Sequence, residues 1–233
     1  MTTPGWWPDE LDHAGGEHLD PNYVAGYDDK AQVDPAPDVA LLAKRGMGPG
    51  SHVVDLGAGT GAFAFAAAAT GADVIAVDVS TAMCEYMQAR TEREDVPNVE
   101  VVQAGFLSFE QPAGSVDFVY SRNALHQLPD FWKVVALERI ATMLRPGGTF
   151  RVLDLVFDLD PFEITDGIEA WRAGAVADPA VGYTAPEFAE HVRIEHSTFT
   201  WLVEPMLERC GFQIVDRTVH RNVYAAYTCQ DTR

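Results

Sequence analysis

Basic residues are scarce in this sequence: 16 Lys and Arg stand against 35 Asp and Glu, which gives a formal net charge of −19. Such a surface repels phosphate groups, and the chain contains no block of Lys and Arg that would form a local basic patch. The composition therefore disfavours a nucleic-acid partner and favours a small molecule.

Long apolar runs are also missing. The run Ala62–Ala69 is far too short to span a bilayer, and the first ten residues lack the basic and apolar segments of a signal peptide. The three cysteines, Cys84, Cys210 and Cys229, are an odd number without metal-ligand spacing, which is typical of reduced thiols. We expect a cytoplasmic protein with no membrane partner and no metal, present as a monomer or a homodimer.

What the chain does contain is the composition of one folded domain, with 47% hydrophobic residues in a length of 233. Strand-like runs rich in Val, Phe and Leu alternate with helix-like segments through its middle. The strand candidates are 52–56, 73–79, 99–104, 116–121 and 149–156, and the helix candidates are 61–70, 80–91 and 129–144. This alternation predicts a doubly wound α/β sheet, with the third helix stopped by "RPGG" at 145–148.

The two ends of the chain depart from this alternation. A helix over 197–212 is followed by strand runs at 213–219 and 222–229, and the two residues between these strands permit only an antiparallel hairpin. We predict a Rossmann-like, doubly wound, seven-stranded, mainly parallel sheet with an antiparallel last strand. Within a single domain over 1–233, we expect residues 1–45 to form an N-terminal arm and helical cover, and 158–196 a helical lid insertion.

The stretch "VVDLGAGTGAFA" (53–64) has two interpretations. Gly57, Gly59 and Ala62 match the G-x-G-x-x-A spacing of dinucleotide-binding proteins, whereas Gly57, Gly59 and Gly61 match the tighter G-x-G-x-G of methyl-donor enzymes. Asp78 ends the next strand candidate, where a carboxylate can accept both hydroxyls of an adenosine ribose. Both kinds of cofactor contain this ribose, so Asp78 leaves the two interpretations open.

Three other observations favour the methyl donor. Gly61 comes one position too early for the dinucleotide spacing, and the terminal hairpin is not part of the dinucleotide-binding sheet. The chain also contains no Tyr-x-x-x-Lys pair of the kind found in short-chain dehydrogenases.

Four segments in this order resemble the class I S-adenosylmethionine-dependent methyltransferases: "DLGAGTG", "VDVS", "FVYSRNALHQLPD" and "LRPGGTFRVLD". Within that class they are most similar to the branch of ubiquinone and menaquinone C-methyltransferases and many natural-product methyltransferases. The resemblance covers about residues 45–157 and the terminal helix and hairpin. It implies S-adenosylmethionine as the cofactor and transfer of its methyl group to a small molecule, at carbon or oxygen.

The resemblance also implies roles for residues on the first two strands. The backbone at Gly57 and Gly59 would face the methionine part of the donor, with Asp55 organising the loop behind it. Asp78 would hold the ribose hydroxyls. Beyond these, the resemblance places further cofactor contacts at Gly61, Val79, Met83, Phe106, Ser121, Arg122 and Tyr27.

One position departs from the family pattern. In "QAGFL" (103–107), Gly105 stands where the family usually has an acidic residue that binds the adenine amino group. Phe106 could still stack on the base and donate its backbone N–H. The adenine contact at Gly105 is therefore the weakest of the implied cofactor contacts.

His126, in "NALHQLPD", is the candidate catalytic residue. It lies near the carboxyl end of the fourth strand candidate, where ligands bind in open α/β sheets, and its ordinary pKa near neutrality suits a general base. The alternative is a histidine that only organises this loop. Two rival functions also stay open: a nicotinamide-dependent oxidoreductase, and a cofactor-binding protein without methyl transfer.

The predicted lid contains two further groups of interest. Trp171, Tyr183 and Phe188 could line an apolar pocket, although core packing is the more common fate of such residues. His191, Glu195 and His196 have near-helical spacing, which could suggest a metal site. Without a third convincing ligand we expect them to form a solvated helix face.

Overall fold

The central sheet is described by a computed structural model that covers residues 4–233, so residues 1–3 of the predicted N-terminal arm lie outside the described residues. Five parallel strands come first and a helix and an antiparallel hairpin come last. The strands are β1 (His52–Leu56), β2 (Asp73–Asp78), β3 (Val99–Gln103), β4 (Val116–Arg122), β5 (Leu144–Phe157), β6 (Thr198–Phe199), β7 (Phe212–His220) and β8 (Tyr224–Asp231).

The strand order confirms the predicted fold class. It runs β3-β2-β1-β4-β5-β8-β7, with β1 to β5 parallel and β8 antiparallel to both of its neighbours. The Val-rich runs are buried on both faces, as the sequence of β1 shows: Val53, Val54 and Leu56 are each 1% exposed. The last strand therefore fills the place between β5 and β7.

Helices pack against both faces of this sheet. They are α1 (Pro21–Ala25), α2 (Tyr27–Ala31), α3 (Ala36–Lys44), α4 (Ala62–Ala68), α5 (Thr81–Glu94), α6 (Asp130–Met143), α7 (Ile164–Arg172), α8 (Ala185–Ile194) and α9 (Thr200–Arg209). Short 3-10 turns occur at Glu10–His13, Gly16–Leu19 and Leu125–Gln127. No helix among residues 4–233 combines the length and apolar composition needed to cross a bilayer.

The junction between α6 and β5 differs from the prediction. The strand begins at Leu144, directly after the helix, so 145–148 belong to β5 and do not form a separate turn. The pairing shifts here, because Val116 pairs with Leu144 whereas Phe118 pairs with Thr149. The extra residues form a bulge, with Gly147 at φ +74°, and the bulge absorbs the change of direction that the sequence predicted as a loop.

The segment predicted as a helix over 197–212 begins with a strand that the sequence did not indicate. The two residues of β6 pair in parallel with Val156 and Phe157 at the end of β5, and α9 begins only at Thr200. A two-residue strand has no periodicity to detect, since it is stabilised by its partner. This pairing attaches the segment after α8 to the carboxyl end of the sheet.

Candidate active site

The loop after β1 is shaped by its glycines. Gly57, Gly59 and Gly61 have φ angles of +72°, +57° and +82°, which a residue with a Cβ adopts only under strain. At Gly57 a Cβ would also lie 2.3 Å from the Cβ of Ala124. The backbone of this loop therefore stays close to the turn after β4, and a ligand can approach it directly.

Asp78, at the end of β2, faces this loop. Its carboxylate accepts hydrogen bonds from the backbone N–H groups of Gly59 and Ser80, each at 2.9 Å. Burial raises the pKa of Asp78, and the two N–H donors partly offset that effect. The side chain thus joins the glycine loop to the first turn of α5 and presents a half-buried acceptor at the cavity wall.

A cavity of about 720 Å³ opens beside these residues, and we call it the glycine-loop cavity. Nine of the twelve cofactor-binding residues predicted from the sequence line it. They are Tyr27, Gly57, Gly59, Asp78, Val79, Met83, Gly105, Phe106 and Arg122.

The other three predicted residues lie behind the wall. Asp55 and Ser121 are buried within β1 and β4, and Gly61 packs against Phe65 at the start of α4. Burial and the nearby charge of Asp78 raise the pKa of Asp55 to about 8. Asp55 lies behind the loop, and its role in organising the loop stays a prediction.

His126 lies in the 3-10 turn after β4 and is held by Asp154 of β5. Its Nδ1–H donates to one carboxylate oxygen of Asp154 at 2.5 Å, and its backbone N–H donates to the other at 3.0 Å. Burial lowers the pKa of His126, but the charge of Asp154 and hydrogen bonds to Asp154 and Glu195 outweigh it and raise the pKa to about 9. Asp154 was not predicted from the sequence, although the carboxyl ends of adjacent parallel strands always meet at one edge of the sheet.

Glu195 covers the other ring nitrogen of His126, with its carboxylate 3.0 Å from Nε2. The same carboxylate also pairs with Nδ1 of His191, whose Nε2 lies 2.7 Å from the Ser197 hydroxyl. The expectation of a solvated helix face is therefore wrong for His191 and Glu195. The end of α8 turns these side chains inward onto His126, a long-range contact that helical spacing alone does not reveal.

The three residues His126, His191 and Glu195 could also hold a metal, since their ligand atoms lie within 4.8 Å of one another. The carboxylate of Glu195, however, stands between two ring nitrogens, at ion-pair distance from whichever histidine is protonated. The absence of a metal stays a prediction. His196 stands apart from this group, with its ring edge against His13 and its backbone N–H donating to the His126 carbonyl.

A second cavity, of about 680 Å³, lies under α7 and α8, and we call it the lid cavity. The predicted lid residues Trp171, Tyr183 and Phe188 line it, with Trp171 and Phe188 stacked at 4.3 Å between ring centroids. Its wall also includes the side chains of Tyr23, Tyr224, Glu17, His126, His191 and Glu195.

The two cavities adjoin. His18, Tyr27, Asn123 and Gln127 line both of them. Since His126 follows Asn123 by three residues in the same turn, its ring stands in the lid cavity close to this junction. A group bound in one cavity can therefore reach a group bound in the other.

Comparison with known proteins gives a consistent result. Residues 53–148 match the family model described as "Methyltransferase domain". A 27-O-demethylrifamycin SV methyltransferase from Amycolatopsis mediterranei is 28% identical over 190 residues, which cover 79% of this chain and 68% of that protein. A trans-aconitate 2-methyltransferase from Deinococcus radiodurans is 36% identical over 125 residues, which cover 52% of this chain but only 44% of that protein.

The fold is shared with solved structures. A phosphoethanolamine N-methyltransferase 2 from Haemonchus contortus, solved with phosphomonomethylethanolamine and S-adenosylhomocysteine, superimposes with a TM-score of 0.72. The match covers 97% of this chain and 61% of that one, at 17% sequence identity. At this low sequence identity, the structural similarity shows that the two proteins share a fold and nothing more.

The glycine-loop cavity fits S-adenosylmethionine. A Cβ at Gly59 would stand toward Tyr27, 3.8 Å from its ring, in space that the glycine leaves free. Asp78 has a half-buried carboxylate that could accept from two ribose hydroxyls, and Arg122 has a cation that could pair with the carboxylate of the amino-acid part. The donor set therefore matches the chemistry of this cofactor.

Proposed function

We propose that this class I S-adenosylmethionine-dependent methyltransferase methylates an oxygen or an activated carbon of a small molecule bound in the lid cavity. We further propose that His126 accepts the proton that the acceptor loses. The observation that carries this proposal is the position of His126, held by Asp154 in the lid cavity beside the residues that line both cavities.

The chemistry is an in-line displacement. S-adenosylmethionine, when bound, supplies an electrophilic methyl group on a sulfonium. In that chemistry the acceptor atom would gain the methyl group, and the electron pair of the broken carbon–sulfur bond would remain on the sulfur of S-adenosylhomocysteine. Holding the two reactants in line provides most of the rate enhancement, and residues lining both cavities, such as Tyr27 and Asn123, are placed to do this.

His126 contributes when the acceptor must lose a proton. Asp154 orients the ring by accepting from Nδ1–H, so Nε2 is the nitrogen that takes the proton. The carboxylate of Glu195 lies beside this nitrogen, and a hydroxyl of the acceptor would displace the carboxylate from it. Since only the neutral ring accepts a proton and its pKa is about 9, turnover of a protonated acceptor should rise with pH toward 9.

The lining of the lid cavity favours a neutral, aromatic or polycyclic acceptor. Its rings are supplied by Tyr23, Trp171, Tyr183, Phe188 and Tyr224, and none of its described lining residues is Lys or Arg. Lys30, nearby, is paired with Glu187 at 2.5 Å. A carboxylate acceptor would therefore find negative charge and no free cation, whereas a phenol or other hydroxyl compound finds stacking surfaces and a base.

Two measurements test this proposal. Calorimetric titration with S-adenosylmethionine, S-adenosylhomocysteine and NAD should show binding of the first two only. A product screen with phenols, quinones, carboxylic acids and amines should then show methylation of a hydroxyl or carbon acceptor. Methylation of amines alone would contradict the proposed acceptor, and cofactor binding without any methylated product would favour a protein that binds the cofactor but transfers no methyl group.

A further inference from the structure

The backbone conformation at Gly105, in the loop after β3, does not require glycine. Unlike the glycines after β1, it does not have a positive φ angle in the range that disfavours side chains. A Cβ at this position would nevertheless lie 2.2–2.6 Å from the carboxylate atoms of Glu10. The glycine thus leaves free the space that the carboxylate of Glu10, a residue 95 positions earlier in the chain, occupies.

Glu10 is firmly held at this place. Both of its carboxylate oxygens accept from the backbone N–H of Leu107 at 3.0 Å, and one also accepts from the Ser108 hydroxyl at 2.9 Å. Burial raises the pKa of Glu10, and these hydrogen bonds oppose the rise. Asp9 caps the 3-10 turn that carries Glu10 by accepting from the N–H of Leu11.

The sheet order places Glu10 at one end of the glycine-loop cavity. Because the strands run β3-β2-β1-β4, the cavity passes from Gly57 and Arg122, after β1 and β4, across Asp78 to the loop after β3. With the ribose at Asp78 and the amino-acid part toward Arg122, the base of the cofactor extends toward Gly105 and Glu10. Glu10 contributes a half-buried hydrogen-bond acceptor to that end of the cavity wall.

We propose that Glu10 recognises the adenine of the cofactor by accepting a hydrogen bond from its exocyclic amino group. The N-terminal segment thus supplies, from outside the sheet, the polar contact that residue 105 cannot make. The inference rests on the cofactor named under the proposed function, but not on the identity of the methyl acceptor. It also makes cofactor affinity depend on the turn Glu10–His13, which a ligand contact within the sheet would not do.

The test compares two ligands that differ at position 6 of the purine and in the proton on N1. S-inosylhomocysteine carries a carbonyl where S-adenosylhomocysteine carries the amino group, so it places an acceptor against the Glu10 carboxylate. Calorimetry on the full chain should show S-adenosylhomocysteine bound about 10- to 100-fold more tightly by the wild type. Glu10→Gln should abolish most of this preference, because an amide can donate to the carbonyl.

A matched control and a rescue separate recognition from local structure. Asp12→Asn, in the same turn, removes an equal charge and should leave the preference unchanged. Gly105→Asp should weaken binding, because its Cβ collides with Glu10, whereas Glu10→Ala combined with Gly105→Asp should restore the preference. Thermal unfolding without ligand checks that each variant folds.

Three outcomes would overturn the proposal. If Glu10→Gln weakens both ligands equally, Glu10 only stabilises the loop over 105–108. If the wild type binds both ligands equally, the amino group is not recognised at all. If the wild type binds neither ligand, the cofactor assignment fails together with this contact, whereas a failed acceptor screen with intact discrimination would affect the proposed function alone.

Discussion

The glycine-loop cavity and the lid cavity adjoin, yet they are built in different ways. The first is lined mainly by loops that follow β1, β2, β3 and β4, which are neighbours in one parallel sheet. The second combines the N-terminal segment, the turn after β4, the insertion with α7 and α8, and β8. Local motifs are therefore sufficient to indicate the first cavity, whereas the second exists only through contacts between distant segments.

The carboxylates of the two cavities also differ in their pKa values. In the wall of the glycine-loop cavity, burial raises the pKa of Asp78 and of Glu10, since each carboxylate has mainly N–H and hydroxyl partners. Beside the lid cavity, the pKa of Asp154 is lowered. Burial would raise it, but the charge of His126 and the hydrogen bonds between the two residues outweigh burial. The first arrangement suits the recognition of neutral donors, and the second suits the movement of a proton.

The largest expected effect separates chemistry from cofactor binding. His126→Ala should reduce turnover on a protonated acceptor by about a hundredfold or more while cofactor affinity is retained, because the base is lost and the glycine-loop cavity is intact. Steady-state kinetics and calorimetry measure the two quantities.

Two variants accompany this prediction. His126→Asn can still donate to Asp154 and so keeps the buried carboxylate paired, and His52→Ala, at an exposed position, is the control. Loss of folding or of cofactor binding in His126→Asn would instead support a purely structural role for His126.

The second prediction acts on the other cavity. Asp78→Ala should weaken binding of S-adenosylhomocysteine by about 2–3 kcal/mol, as for the loss of hydrogen bonds to a charged group. Asp78→Asn keeps only one acceptor oxygen for the N–H groups of Gly59 and Ser80, so it tests how much of the loss comes from the loop. Asp73→Ala, at the exposed start of the same strand, should have no effect, and unchanged affinity in both Asp78 variants would remove Asp78 from the site.

The third prediction concerns pH. Glu195 raises the pKa of His126 through its charge and hydrogen bond, so Glu195→Gln should lower that pKa by up to about one unit. The rising limb of kcat/KM against pH should therefore move to lower pH. Glu190→Gln, an exposed residue of the same helix, should leave the profile in place, and an unchanged or upward-shifted limb in Glu195→Gln would contradict the coupling.

The smallest expected effect is none at all. If His126, Glu195 and His191 form a hydrogen-bonded relay, dialysis against a chelator should change neither turnover nor the unfolding temperature. Elemental analysis of the untreated protein should then find no stoichiometric divalent metal. A loss of activity that Zn²⁺ or Mn²⁺ restores would show that the three residues bind a metal after all.

Much of the fold could be predicted, because buried parallel strands leave an unmistakable apolar pattern. The candidate 52–56 coincides with β1, and the next three differ from the observed strands by one residue at most. The prediction was less accurate where pairing decides the structure, as in the bulge at 145–148 and in β6. The ubiquinone-like branch of the family stays a prediction, whereas the methyltransferase class is supported by the family-model match over residues 53–148.

The candidate site shows the same division. Nine of twelve predicted cofactor residues line one cavity, because residues at the ends of adjacent strands must meet there. Glu10 was missed and Glu195 was expected to face solvent, since each reaches its place through a segment without a strong periodic pattern. The one available signal was Gly105, whose departure from the family pattern pointed to a partner elsewhere in the chain.

By itself, the sequence determined the order of strands and helices, the glycine loop and the acid that follows β2, because these depend on backbone geometry and on burial over a few residues. The tertiary structure alone decided which acid faces Gly105, which carboxylates surround His126 and which rings form the lid cavity. These arrangements depend on how the N-terminal segment and the insertion pack across the sheet. Contacts between residues as far apart as Glu10 and Leu107, or His126 and Glu195, follow from that packing and leave no local pattern in either segment.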